Sequence, residues 1–402
     1  MLGARPSVYA QANPAQLRLT GEVRVRGEFD KRTSGARADA ATLLRTRLGV
    51  LATLDSGARV FIQLSDSRAF GEEGNTLTDA SANQLDLHQA YLEGTALRSL
   101  NLRAGRQELA FADERLIGAV NWANVTRAFD ALRATLARAP WTLDAFAAIL
   151  EERDATLSTG LDPRKNEGKD ADRTFFGLWL ASRSIELFAI GDRHARAAAL
   201  TGVDRFTAGA YARRGFGRWT MNGMGALQVG RQSAVGGPRQ DIAAYMASAV
   251  LTYAGKGRSA ATLSAQADYL SGDASPADAS YTAFNTLYAT NHAFYGSMDL
   301  FLNLPDDTGG LGLVDLMARL SLRPGPWSVR ADLHQFELAR RASTGERTIG
   351  QEFDLYAGRS VGKFGLQLGY SVFTPSAAAR SAPVVLGSDV LYWAFLQVTA
   401  RF

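Results

Sequence analysis

The sequence predicts an all-β fold: an 18-stranded antiparallel transmembrane β-barrel with short periplasmic turns and long extracellular loops. Three observations carry this. Strictly alternating apolar and charged stretches recur along all 402 residues. Most exceed the about 5–6 residues of an ordinary strand and suit the roughly 9–11 that a tilted strand needs to cross a bilayer. The connections between them alternate short and long, as tight periplasmic turns and extended outer loops do.

The first stretch shows the pattern. In LRLTGEVRVRGEF, residues 17–29, Leu17, Leu19, Val23, Val25 and Phe29 share one parity, with Gly21 and Gly27 in its gaps. Arg18, Thr20, Glu22, Arg24, Arg26 and Glu28 share the other. Successive strand side chains point to opposite faces, so this strand is apolar on one side and charged on the other. A lipid-facing Arg near the midplane costs roughly 2–4 kcal/mol, so turning three of them to lipid would cost about 6 kcal/mol or more. The charges therefore face a water-filled lumen, which a barrel of this size leaves open.

The same alternation marks strands at 17–29, 42–54, 58–68, 84–93, 99–108, 127–138, 141–151, 173–182 and 184–193. It continues at 204–214, 218–232, 241–254, 257–271, 312–323, 327–338, 351–361, 364–373 and 390–402. Tight connections include 55–57, 139–140, 215–217, 255–256 and 324–326; the long ones include 109–126, 152–172 and 272–311. All 11 prolines lie outside these strands, as residues without an N–H to donate must. The last strand ends on Phe402, similar to the terminal strand that bacterial barrel-assembly machinery recognises.

Residues 1–16 read as a leader remnant or N-terminal extension, because Val8-Tyr9-Ala10 resembles the small-residue end of a secretory signal. Residues 17–402 read as a single barrel, since no linker or shift in composition divides them. No cysteine is present, which excludes disulfides, thiol nucleophiles and cysteine-based metal sites. No apolar run is long enough for a transmembrane helix, and a mean hydropathy of −0.11 is compatible with strands that are apolar at every second position.

Applying the inward parity elsewhere selects Arg45 and Arg47, Arg59, Asp86 and His88, Arg103, Arg133, Asp268, then Arg330, Asp332 and His334, and finally Glu352 and Asp354. Such charges set the field of a pore whatever each one does alone, and some must pair across the wall to hold its shape. Asp86 and His88 could form an orienting pair for a general base, but no G-x-S-x-G occurs. No metal-spaced cluster is visible along the chain, and neither a cofactor nor a catalytic residue is expected.

The blocks Arg103-Ala-Gly-Arg-Gln-Glu-Leu109, Asp113-Glu-Arg-Leu-Ile-Gly118, Asn121-Trp-Ala-Asn124 and Arg127-Ala-Phe-Asp130 resemble the alginate-export family of outer-membrane proteins. So do Asp86-Leu-His-Gln-Ala-Tyr-Leu92, Ser271-Gly-Asp273, His292 with Gly296-Ser-Met-Asp299, and Gly350-Gln-Glu-Phe-Asp-Leu355. The resemblance implies an 18-stranded monomeric barrel that passes an anionic uronate polymer through an arginine-rich constriction. It places Arg106, Arg127 and Asp130 at that constriction, with anchoring of the 109–126 loop as the competing role. The chain is short for an alginate exporter and its net charge is only +4. An anion-preferring diffusion channel for acidic sugars, uronate oligo- or polysaccharides or other carboxylates is therefore the first expectation. A dedicated exopolysaccharide secretion pore with periplasmic partners is the second, and an outer-membrane enzyme the third. Expected partners are outer-membrane lipid or lipopolysaccharide and an anionic permeant, with no nucleic acid.

Overall fold

A computed structural model describes residues 16–55, 57–71, 85–97, 99–151, 173–194, 202–233, 239–257, 261–275, 277–381 and 383–402. The expectation of a leader remnant lies almost wholly outside these residues. Eighteen long strands run in chain order. They are β1 (Gln16–Lys31), β2 (Asp39–Thr53), β3 (Arg59–Ala69), β4 (Leu85–Leu97), β5 (Leu100–Gln107) and β6 (Phe129–Arg138). Next come β7 (Trp141–Glu151), β8 (Arg173–Ala181), β9 (Ile185–His194), β10 (Gly202–Phe216), β11 (Trp219–Ser233) and β12 (Arg239–Ala254). The last are β13 (Thr262–Leu270), β14 (Leu313–Leu322), β15 (Ser328–Leu338), β16 (Thr348–Val361), β17 (Phe364–Pro375) and β18 (Leu391–Arg401).

Each strand pairs antiparallel with the next, and β1 pairs with β18, from Glu22 opposite Arg401 to Lys31 opposite Tyr392. The sheet is thus closed and has no free edge, the condition for strands to stand in hydrocarbon. Every expected strand is present, with ends shifted by a few residues. Of the stretch 257–271, residues 258–260 lie outside the described residues and β13 covers Thr262–Leu270; Pro375 becomes the last residue of β17, where its missing N–H costs no ladder bond.

The alternation resolves as the energy argument requires. Leu17 is 70 % exposed and Leu227 64 %, on a surface that also carries Leu19, Leu132, Phe206 and Val229. Arg24 and Arg26, of opposite parity to Leu17, are each only 4 % exposed and face inward. Gly21 fills its gap for a packing reason: a Cβ there would lie 2.1 Å from Cζ of Phe402. The terminal aromatic ring lies flat over that glycine, while Gly21 N–H donates to the Phe402 carbonyl at 2.8 Å. At the turn between β10 and β11, Gly217 adopts φ 63°, a conformation that costs other residues.

An arginine at Leu227, halfway along β11 on the outer face, should lower folding stability in lipid vesicles by about 2–4 kcal/mol. The same residue at Ser264, on the lumen parity of β13, should cost less than about 1 kcal/mol. Reversible urea titration in vesicles measures both, and equal costs would contradict the assignment of faces.

Candidate functional site

Two long connections, 108–128 and 271–312, fold inside the barrel instead of standing outside it. Their apolar side chains are the reason. Leu109, Phe111, Leu116 and Ile117 of the first, and Phe284, Tyr295, Met298 and Phe301 of the second, are all buried in one cluster with lumen-facing wall residues. Phe111 stacks on Trp179 with ring centres 4.9 Å apart, and Phe301 meets Phe336 at 4.7 Å. The loops also join each other: Gly118 N–H donates to Tyr288 O at 2.8 Å, Tyr288 N–H to Leu116 O at 2.9 Å, and Thr290 N–H to Glu114 O at 2.9 Å.

The wall arginines lock the first loop in place. Arg24 Nη1 donates to the carbonyl of Trp122 at 2.9 Å and its Nη2 to that of Ala123 at 2.9 Å. Arg45 Nη1 reaches the carbonyls of Asn121 at 2.9 Å and Ala123 at 2.8 Å, while its Nη2 meets Glu22 at 2.5 Å. Arg26 donates to Trp122 O at 3.1 Å, pairs with Glu28 at 2.7 Å and lies over the Trp122 ring at 4.6 Å. Arg47 bonds Asn121 Oδ1 at 3.2 Å and the Thr126 hydroxyl. These four, expected to touch a permeant, hold backbone and side-chain oxygens of residues 121–126. A hydrogen bond from a charged donor contributes about 1.5–3 kcal/mol, so the cradle outweighs the cost of ordering a short loop segment.

Arg127, expected at the constriction, takes the anchoring role. Its Nη1 bonds the Tyr288 carbonyl and, at 3.2 Å, that of Ala289, which ties the start of β6 to the second loop. Burial pulls its guanidinium below the usual arginine range. Burial, reinforced by the Asp192 carboxylate, pushes the Tyr288 phenol up, so its hydroxyl stays protonated and donates to Asp192 at 2.9 Å.

Arg106 and Asp130 depart from expectation. They are paired opposite one another on β5 and β6, in the same parity as Leu102 and Leu132, which face outward. Asp130 is 60 % exposed at the side chain and lies 3.1 Å from Arg106. This pair stands on the outer surface at the extracellular rim and does not line the constriction. Asp86, exposed near the end of β4, comes within 4.0 Å of Arg106. The register between β3 and β4 shifts beside Leu87 and Gln89, leaving His88 as an extra residue. Beyond this bulge the pairing is regular again, with Asp86 opposite Ser65, and Leu85, Asp86 and Leu87 at the open end of β4 are all exposed. His88 turns inward without Asp86, and its Nε2 meets Glu108 at 2.8 Å and Thr126 Oγ1 at 3.2 Å. The expected acid–base pair is not formed.

The other expected lumen residues do face inward. On the periplasmic side of the loops, Arg59 pairs with Glu93, Arg103 meets the same carboxylate at 2.8 Å, and Arg133 pairs with Asp144 at 2.7 Å. Arg330 and Arg319 both meet Asp332, at 3.2 and 2.7 Å. Glu352 and Asp354 are fully buried, and Glu352 Oε1 accepts the Met298 N–H of the second loop at 2.8 Å. Sequence reasoning missed Arg115, Arg213, Arg319 and Arg401. Arg115 sits on a loop, where parity gives no signal, yet it crosses the lumen to Asp268 and lies 4.0 Å from the Phe294 ring centre. Arg213, Arg319 and Arg401 fell within expected strands, and their parity would have found them.

It also missed a cluster. Among the described residues, donor atoms of Asp332, His334 and Asp354 lie within 4.8 Å of one another, all buried. Two of the three are two apart in β15, but the third is brought opposite by β16, a pairing that linear spacing cannot show.

A closed barrel with an apolar exterior, a charged lumen and loops folded inside defines a bacterial outer-membrane channel of the porin kind. The alginate-export family model matches residues 15–391, and the chain belongs to that family. No curated relative matches the chain. Among solved structures, it is similar to Pseudomonas aeruginosa OccK11 (OpdR), with a TM-score of 0.62 at 12% identity over 96% of each chain. It is also similar to P. aeruginosa OpdO, with a TM-score of 0.61 at 12% identity over 96% of this chain and 97% of the other. Acinetobacter baumannii OccAB3 gives 0.60 at 10% identity over 96% and 99%. At such identities the likeness is one of fold; membership of the alginate-export family, with the closed 18-stranded barrel, puts the protein in the bacterial outer membrane.

Replacing both Arg24 and Arg45 by Ala should free residues 121–124 from the wall. Single-channel recording in planar bilayers should then show larger and noisier currents; a record indistinguishable from wild type would contradict the anchoring role.

Proposed function

We propose that this outer-membrane channel passes small anions by passive diffusion, with acidic sugars, uronate oligosaccharides and other carboxylates as the permeant class. The observation that carries the reading is the set of arginines left in the wet lumen on the periplasmic side of the loops. Arg59, Arg103, Arg133, Arg213, Arg319, Arg330 and Arg401 all share inward parity there. The carboxylates of inward parity at that end are fewer: Glu22, Glu93, Asp144, Glu186 and Asp332. A surplus of fixed positive charge in a low-dielectric passage raises the local concentration of anions. Arginine's planar fork suits carboxylates in particular. The pairs with acids keep the side chains extended along the wall, so a passing carboxylate exchanges with an acid already bound.

Membership of the alginate-export family supports a second reading, secretion of an acidic polysaccharide with periplasmic partners. That reading requires the loops to swing out far enough for a polymer. Co-purification of a periplasmic protein with the cross-linked barrel, together with polymer release lost on deletion, would favour it over free diffusion.

Reversal potentials across a KCl gradient test the first reading. Wild type should prefer chloride over potassium, and the triple variant Arg59→Gln, Arg103→Gln, Arg133→Gln should move the permeability ratio severalfold towards one. The preference should also weaken at high salt, because the Debye length falls to about 3 Å at 1 M. A ratio that the triple variant leaves unchanged would refute selectivity by these groups.

A further inference from the structure

We infer that the lumen wall holds a divalent-cation site formed by Asp332, His334 and Asp354, of the first-row transition class represented by Zn2+ and Mn2+. The strand register creates it. Asp332 in β15 lies directly opposite Asp354 in β16, His334 lies opposite Glu352, and Asp354 is opposite Ser371 in β17. All five side chains therefore share one patch of the inner face, and none is more than 2 % exposed.

The unmet hydrogen-bonding capacity of this patch points to a ligand. Both carboxylate oxygens of Asp354, Oε2 of Glu352 and Oγ of Ser371 are buried without a hydrogen-bond partner. Most buried polar atoms in native proteins are satisfied; a proton shared between Glu352 and Asp354 would serve one oxygen of each, so the other oxygen of Asp354 and the Ser371 hydroxyl still call for a bound group. His334 is oriented for ligation. Asp315 engages its Nδ1 at 2.9 Å, the outer-sphere contact that usually fixes a metal-binding imidazole. Its Nε2 is left facing Asp354 Oδ2 at 3.9 Å, too long for a hydrogen bond but suited to two ligands flanking an ion at about 2.0–2.2 Å from each. Asp332 supplies the third donor; Arg319 and Arg330 take some of its lone pairs, and a carboxylate has about four.

Asp268, Asp315, Asp332, Glu352 and Asp354 on four neighbouring strands are met by Arg319 and Arg330 from the wall, by Arg115 from the loop and by His334 itself. One imidazole with two carboxylates suits Zn2+ or Mn2+ better than Ca2+ or Mg2+, which favour all-oxygen shells. Because Glu352 also holds the Met298 N–H, an ion here would brace the wall at the point where the second loop docks.

Metal retention by the full chain in detergent tests this. After stripping with EDTA, the folded barrel is incubated with ZnCl2 or MnCl2, desalted and assayed by mass spectrometry, with folding checked by heat-modifiable migration. Wild type should keep about one ion per chain, as should Asp241→Asn, an exposed control. The double variant His334→Gln, Asp354→Asn should keep about tenfold less. The wild-type thermal midpoint should also fall with EDTA and recover on adding metal back, because an ion bound only to the folded state stabilises it. Less than about a tenth of an ion per chain in wild type would overturn the site, as would equal retention by a folded double variant. Should that variant fail to fold, wild-type retention with the reversible midpoint shift decides in favour, and absence of either decides against.

Discussion

A guanidinium turned into a barrel must find acceptors, and in this chain a loop brings them. Arg24 has no acidic partner among the described residues; its donors end on the carbonyls of Asn121, Trp122 and Ala123 and on the Asn124 side chain. Removing the loop would leave that charge and the Arg45 charge facing each other across paired strands, where Arg24 sits directly opposite Arg45. The same constraint acts on the loop. Its carbonyls, buried away from helix or sheet, need donors, and the wall supplies them. Loop and wall therefore specify each other, and the position of the 108–128 loop fixes which arginines remain in contact with water.

This division sorts the lumen arginines by contact. Those level with the loop hold it, and those nearer the periplasm pair with acids along the wall. A barrel of eighteen strands is too wide for side chains alone to fill. The two inward loops supply the missing packing, with Phe111, Tyr288 and Trp122 each seated on aromatic wall residues.

Much of the fold was legible in the chain because a strand in lipid has a harsh rule: every second residue must be apolar. The strands of 17–29 and 218–232 announce themselves, and the inward charges of β15 and β16 follow from parity alone. Legibility ended where parity did. The bulge at His88 gave that side chain other partners than Asp86, and a shared outward parity placed Arg106 and Asp130 on the rim although their motif suggested a constriction. The role of Arg24 and Arg45 depended on a loop whose path no local pattern encodes. The Asp332–His334–Asp354 cluster depended on cross-strand register, which alternation leaves undetermined.

The central claim is that the 108–128 loop sits within the barrel against β2 and β3. Since the chain has no cysteine, one introduced pair can report on it. Ser67 Oγ donates to the Asn124 carbonyl at 2.8 Å, so Ser67→Cys with Asn124→Cys should form a disulfide under mild oxidation in intact outer membranes, leaving conductance near the wild-type value. Failure to cross-link, while each single cysteine reacts freely with a bulky water-soluble maleimide, would place the loop outside and contradict the account.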